Sequence, residues 1–369
     1  MMELSQQEVA RFARHFPVIG LDGQLKLKNA KVLSIGVGGL GALALLYLAA
    51  SGIGHIGIVD GDDVDISNLQ RQVLFHEQQV GKNKAQSAQK NLHQLNSSCV
   101  YSSFPEFLNE KNAEKIIAAF DVVLDASDNF ETRYLVNRVC RKLGKPLVSA
   151  SIFQFDAQIS TFNYQDGPCY ECLYPAPPPS DFMPNCAQGG VLGVLPGVAG
   201  TIQATEVLKI LLGLGETLSG KLLSIDLLHH HYKTFEVEKK PTCCAGSCSQ
   251  KMTRKAPEPV GDIVDIATIT AKELAQALID NAQAYYLIDV RQPYERDICH
   301  IGGELMPVDE IHAHVDKIPG DKTVVVYCKG GIRGSKAAQM LSKTHANIVN
   351  LEDGILAWID DVDDSLMRY

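Results

Sequence analysis

The chain has 369 residues, 46% hydrophobic and 21% charged, with a formal net charge of −9. That is too long for one small domain, too apolar for extensive disorder and too acidic for a nucleic-acid partner gripped through its phosphates. The longest apolar run, residues 40–50, is too short to cross a bilayer and no leader is legible, so the expectation is a soluble cytoplasmic protein with no membrane partner.

Taken in order, residues 1–30 predict a polar helical stretch carrying Arg11, Arg14 and His15 ahead of Pro17, which by itself reads as a solvated helix face. Residues 31–35 predict a short strand that runs into Gly36, Gly38, Gly39 and Gly41. Glycines there let the backbone approach a phosphate, and a helix starting near Leu40 points its N–H groups at the anion. Asp60 ends the next predicted strand, where an acid contacts ribose hydroxyls. The G-x-G-x-x-G pattern alone leaves NAD, FAD and ATP open.

Helices are predicted at 84–95, 113–119 and 130–143, with buried strands at 121–125 and 147–151. Such alternation implies a parallel, doubly wound sheet with its ligand at the C-terminal strand ends. Strands at 156–164 and 221–237 then flank a helix at 197–212, and 174–185 is a proline-rich loop. Three consecutive histidines, 229–231, fall in the second of those strands, where neighbours face opposite ways, so a shared metal ion is rejected. Residues 249–262, with two prolines and no periodicity, read as a linker. Beyond it a compact α/β unit restarts, with helices at 271–278 and 335–342 and strands at 285–290 and 323–328. The fold class is therefore α/β: a Rossmann-like nucleotide domain over 1–248, then a small α/β domain over 263–369.

The run S-N-L-Q-R-Q at 67–72, together with Asp62, Lys84 and Asp128, is foreign to a dehydrogenase. Cations near a glycine turn, with carboxylates for Mg²⁺ and ribose, suit a nucleoside triphosphate, whereas hydride transfer needs none of those charges.

Four motifs, I-G-V-G-G-L-G, D-x-D-x-V-D-x-S-N-L-Q-R-Q, V-G-K-N-K-A and D-A-S-D-N-F-x-T-R, resemble the MoeB/ThiF family, from about residue 11 to 248. That family adenylates small ubiquitin-like sulfur carriers. The resemblance implies ATP and Mg²⁺ as cofactors and a carrier ending in Gly-Gly as partner. It implies Asp60 on ribose, Asn68, Arg71 and Lys84 on the phosphates, Asp128 on Mg²⁺, and Arg14 reaching the ATP of the other subunit of a homodimer. Asp62 joins Asp60 in the nucleotide motif. R-H-F-P-V-I-G is shorter than the family's usual segment around Arg14.

Ten cysteines in a chain of this size point to metal or thiol chemistry rather than a disulfide scaffold. Cys169-x-x-Cys172 with a later cysteine group fits a closed four-thiolate Zn²⁺ site, against two redox thiols as the competing reading. The later group reads P-T-C-C-A-G-S-C rather than C-x-x-C; Cys244 with Cys248 complete the site, and Cys243 stands as the substitute for Cys244. Cys99, Cys140 and Cys299 have no partner spacing. Cys186 follows the proline-rich loop and reads as a buried cysteine, while the resemblance makes it the candidate thiol for a covalent carrier intermediate.

In the last unit, Y-C-K-G-G-I-R-G-S puts Cys328 at the end of a buried strand and at the start of a glycine-rich loop, a setting that suits a persulfide or a phosphatase-like anion site. With D-V-R-Q-P-Y-E-R and C-H-I-G-G it resembles a rhodanese domain over 262–369. This implies Cys328 as persulfide carrier, Arg333 among the residues binding the anion, and Asp289, Arg291 and His300 as framing residues. Gly334 stands where serine is common. Adenylation plus a tethered sulfur donor implies a carrier thiocarboxylate for molybdopterin or thiamine biosynthesis, with a cysteine desulfurase or other donor supplying sulfur. Two alternatives stay open: a purely accessory rhodanese unit, and a flavin or nicotinamide oxidoreductase. Full ubiquitin-type conjugation is not expected, since no insertion has room for a separate catalytic-cysteine domain.

Overall fold

The computed structural model describes residues 3–177, 190–243, 266–342 and 344–368, which fall into two compact units, 1–252 and 253–369. In the first, β1 (Lys31–Ile35), β2 (His55–Val59), β3 (Val100–Phe104), β4 (Val122–Asp125) and β5 (Leu147–Phe153) are parallel. They continue into antiparallel β6 (Asp156–Phe162), β7 (Lys221–Asp226) and β8 (His231–Glu236), giving the order β3-β2-β1-β4-β5-β6-β7-β8. The central parallel strands β1, β2 and β4 are almost wholly buried because helices cover both faces, which accounts for their continuous apolar runs. The order reverses between β1 and β4, and this switch point opens the crevice that holds the site.

Local chemistry fixes the helix ends. Asn83 and Asn129 cap Lys84–Leu95 and Phe130–Leu143 by accepting from Gln86 N and Thr132 N, and Gly144, at φ 64°, closes the second. The segment 221–237 is not one strand: residues 227–230 turn it into a hairpin. His229 and His230 therefore lie in the turn, and the rings of His229 and His231 stack with centroids 5.8 Å apart. Opposite strand faces therefore do not hold these two rings apart.

The helix Val194–Leu212 starts earlier than its sequence pattern suggests and is long and apolar enough to cross a membrane. Half of it is buried, packed on Gly39–Ala50, β5 and β6. It also carries buried polar side chains. Gln203 Nε2 donates to Asp125 O at the end of β4 (2.9 Å), and the Glu206 carboxylate accepts from Thr161 Oγ1 of β6 (2.9 Å) and from Leu218 N (2.6 Å).

The second unit is a five-stranded parallel sheet built from β9 (Ala267–Ile269), β10 (Tyr285–Asp289), β11 (Glu304–Leu305), β12 (Thr323–Tyr327) and β13 (Ile348–Leu351). Its order is β11-β10-β12-β13-β9, which makes β12, the strand that Cys328 follows, the central one. Two apolar clusters lie on its faces, one around Ile288, Val324 and Val326 and the other around Leu274, Val325 and Ile355.

Candidate functional site

At the switch point, the turn after β1, the ends of β2 and β4 and the start of the helix Lys84–Leu95 enclose a cavity of about 290 Å³. Gly36 enters it at φ 90°, and a Cβ there would lie 2.8 Å from Ala126 O, so only glycine lets β1 and β4 approach at this point. Gly38 and Gly39 line the cavity. Gly41 does not; a Cβ on it would sit 2.2 Å from Gly36 O, and its role is to let the helix Gly39–Ala50 lie close on the turn.

Asp60 accepts from Val37 N (2.8 Å) and from Asp62 N (2.9 Å), which fixes its carboxylate at the cavity wall. Burial pushes this carboxyl above its ordinary value of 3.8, against those N–H groups and against Lys84. Lys84 Nζ lies 3.1 Å from Asp62 Oδ2. Asn83 braces the same corner, donating through Nδ2 to Asp60 O and Asp62 O. Asn68 closes a short turn with Asp65, and Arg71 Nη1 donates to Ser67 O at 3.0 Å. Asp128 is exposed at the end of β4 and lines the same cavity.

Asp60, Asp62, Asn68, Arg71, Lys84 and Asp128 thus converge although 68 residues of chain separate the first from the last. Arg14 is exposed and does not line this cavity. Sequence reasoning passed over Glu106, Phe107 and Arg133, which also line it. Glu106 and Phe107 sit in no motif and were signalled only by their position just after β3, whereas Arg133 closes the motif D-A-S-D-N-F-x-T-R without having been given a role of its own. Arg133 donates to Ser127 O (2.8 Å), so it braces the loop that carries Asp128.

Cys169, Cys172 and Cys243 are all buried, with sulfurs within 4.8 Å of one another, and among the described residues no other cluster is as tight. Cys243, held as the substitute in the sequence reading, is the member of the later group placed here; Cys244 and Cys248 lie outside the described residues. Burial pushes the Cys169 and Cys243 thiols up. Cys172 is also raised by burial, but the N–H groups of Lys240 and Cys169 outweigh that and bring it down on balance. Cys186 and the expected linker, 249–262, also lie outside the described residues.

In the second unit Cys328 follows β12, is 1% exposed and begins the loop to the helix Ile332–Leu341, whose N-cap Gly331 has φ 83°. Arg333 is clamped on Glu295 by two bonds of 2.6 and 2.7 Å. Arg291 and Asp289 form a fully buried pair, tied also to Tyr327 and to Cys299 O. His300 accepts from Gly302 N through Nδ1.

Residues 10–245 match the ThiF family and residues 270–361 the rhodanese-like domain. The chain belongs to the ThiF family. The resemblance read from the four motifs therefore holds, and so does the α/β architecture that it implied. A relative of this ThiF-family chain, the probable adenylyltransferase/sulfurtransferase MoeZ of Mycobacterium tuberculosis, is 42% identical and matches 99% of the chain and 96% of its own length. The adenylyltransferase and sulfurtransferase MOCS3 of Xenopus laevis is 36% identical, over 99% of this chain and 89% of its own. Among solved structures, E. coli MccB with ATP superposes with a TM-score of 0.57 at 26% identity, over 63% of this chain and 73% of that one.

Proposed function

We propose that this ThiF-family chain adenylates the C-terminal glycine of a ubiquitin-like sulfur carrier and then passes it persulfide sulfur from Cys328, giving a thiocarboxylate. The observation that carries the reading is the convergence of Asp60, Asn68, Arg71, Lys84 and Asp128 on one cavity, in a chain that also ends a buried central strand in Cys328. Relatives named for both activities along almost the whole chain support it.

A carboxylate is a weak nucleophile facing a polyanion, so charge neutralisation and in-line placement do the catalysis. Arg71, Lys84 and Asn68 hold the phosphates and Asp60 accepts from the ribose. Asp128, an exposed carboxylate at the cavity rim, has the donor chemistry for Mg²⁺, which when bound would neutralise phosphate charge. The carrier's carboxylate oxygen bonds to the α-phosphorus, and pyrophosphate leaves with the electron pair of the broken P–O bond. The terminal sulfur of the Cys328 persulfide then attacks the acyl carbon and AMP leaves. A second thiol, for which Cys186 is our candidate, attacks the Cys328 sulfur, releasing the thiocarboxylate and leaving a disulfide for a cellular dithiol to reduce. A cysteine desulfurase or similar donor reloads Cys328.

Three buried thiols fit a structural Zn²⁺, with the fourth ligand from Cys244 or Cys248. We further place Arg14, exposed and outside its own cavity, at the nucleotide of a second copy in a homodimer. The adenylating domain ends at 248 and the rhodanese-like domain starts at 263. The setting is cytoplasmic, and the product serves molybdopterin or thiamine biosynthesis. The test is ATP–pyrophosphate exchange with a set of carriers ending in Gly-Gly, read beside thiocarboxylate mass. Carrier-dependent exchange that survives Cys328→Ala, with thiocarboxylate lost, is expected; the absence of exchange with every carrier sinks the reading.

A further inference from the structure

The loop that carries Cys328 is held by its carbonyls. Ile355 N donates to Cys328 O at 2.8 Å and Leu356 N to Lys329 O at 3.2 Å, both from the start of the helix Gly354–Asp361. Gly331 O accepts from Ser335 N at 2.9 Å and also from Asn350 Nδ2 at 3.2 Å. Each peptide is planar and trans, so turning these carbonyls toward β13 and the last helix turns the N–H of the next residue the other way. Among the described residues the N–H groups of Gly330 and Ile332 have no hydrogen-bond partner, which leaves them for an anion.

Asn350 is the one side chain in this set. It lies on β13 opposite Val326 of β12, is 6% exposed, and its Oδ1 has no hydrogen-bond partner. A Cβ at position 334 would stand 2.2 Å from that oxygen. The amide can be seated on Gly331 O only because residue 334 has no side chain, and any larger residue there must push it off. From this juxtaposition we infer that Asn350 is a positioning residue for sulfur transfer at Cys328, and that Gly334 is the space it requires. The inference rests on Cys328 being the persulfide carrier.

The probe is the full chain with thiosulfate as donor and cyanide as acceptor. The Cys328 thiolate bonds to the outer sulfur of thiosulfate, and sulfite leaves with the S–S electron pair. Cyanide carbon then bonds to the terminal sulfur, thiocyanate leaves and the pair returns to Cys328. Asn350→Ala and Gly334→Ser each should lower kcat/KM about tenfold or more, chiefly through KM for the dianion, because the N–H groups lose their aim. The double variant Gly334→Ser/Asn350→Ala should recover to within about threefold of the parent, the new side chain filling the vacated space; a merely structural loss would multiply instead. Parental kcat/KM in Asn350→Ala, or a double variant no better than the product of the singles, overturns the inference. Should Asn350→Ala abolish thermal unfolding of the second unit, Gly334→Ser alone decides, a tenfold loss supporting the inference and parental kcat/KM overturning it. A Cys328→Ala protein that still turns over thiosulfate would remove the carrier assignment itself.

Discussion

Lys84 and Asp62 share an ion pair unequally: the lysine side chain is 9% exposed and the aspartate 57%. A pair with one partner in water adds only about 0–1 kcal/mol to stability, so the contact does not explain why an ammonium is buried here. A polyphosphate in the cavity would. Lys84→Ala is therefore expected to lower ATP–pyrophosphate exchange by about 100-fold or more in kcat/KM, as for loss of one preorganised donor, with little change in melting temperature. Asp60 adds a pH signature. Its folded pKa lies above the ordinary 3.8, so the empty protein binds that proton more tightly than the unfolded chain does and loses stability as pH rises from 3.8 through the folded value. A ribose hydroxyl donates more strongly to the ionised form than to the neutral acid, so nucleotide affinity should rise across the same window. Melting temperature against pH, with and without ATP, should show the two opposite slopes, and Asp60→Asn should flatten both.

At the scale of elements, the two longest apolar helices of the first unit, Gly39–Ala50 and Val194–Leu212, touch where Gly200 faces Leu40, and a Cβ at 200 would lie 2.5 Å from Leu40 O. Gly200→Ala should cost about 1–3 kcal/mol by overpacking, seen as a lower denaturation midpoint at unchanged slope. Nothing in the local pattern singles out Gly200, because close approach of two helices is a tertiary fact. The parallel half was legible for the opposite reason. β1 and β2 are apolar runs followed at once by Gly36 and Asp60, β4 is an apolar run closed by Asp125, and Asn83 and Asn129 mark helix starts without help from the rest of the fold. The hairpin at 227–230 was missed because no glycine marks it: His230 takes φ 54°, which glycine or asparagine would have advertised. For the cavity, residues lying in motifs were readable, Arg133 included, had its place in D-A-S-D-N-F-x-T-R been followed, whereas Glu106 and Phe107 arrive there only through β3. The choice of Cys243 depends on how the chain returns to Cys169, which spacing does not encode.

For the whole molecule, the apolar clusters of the two units share no residue. Calorimetry should resolve two transitions, and Ile288→Ala, at a fully buried position of the second unit, should lower only one of them by about 2–5 kcal/mol while carrier-dependent exchange persists. A chelator strong enough to strip zinc should lower only the other, if the three thiols hold a structural ion. One further consequence concerns the timing of synthesis. Every charged residue that lines the cavity has been translated by position 133, yet the β4 end that frames it is tied to Gln203, and β6, two strands along the sheet, to Glu206. A nascent chain thus carries every residue proposed to contact phosphate or ribose some 70 residues before Gln203, in the helix that clasps the strands behind them, is added. Ribosome-arrested chains of increasing length should accordingly bind ATP only once that helix has emerged, and binding by a chain ending before it would contradict this.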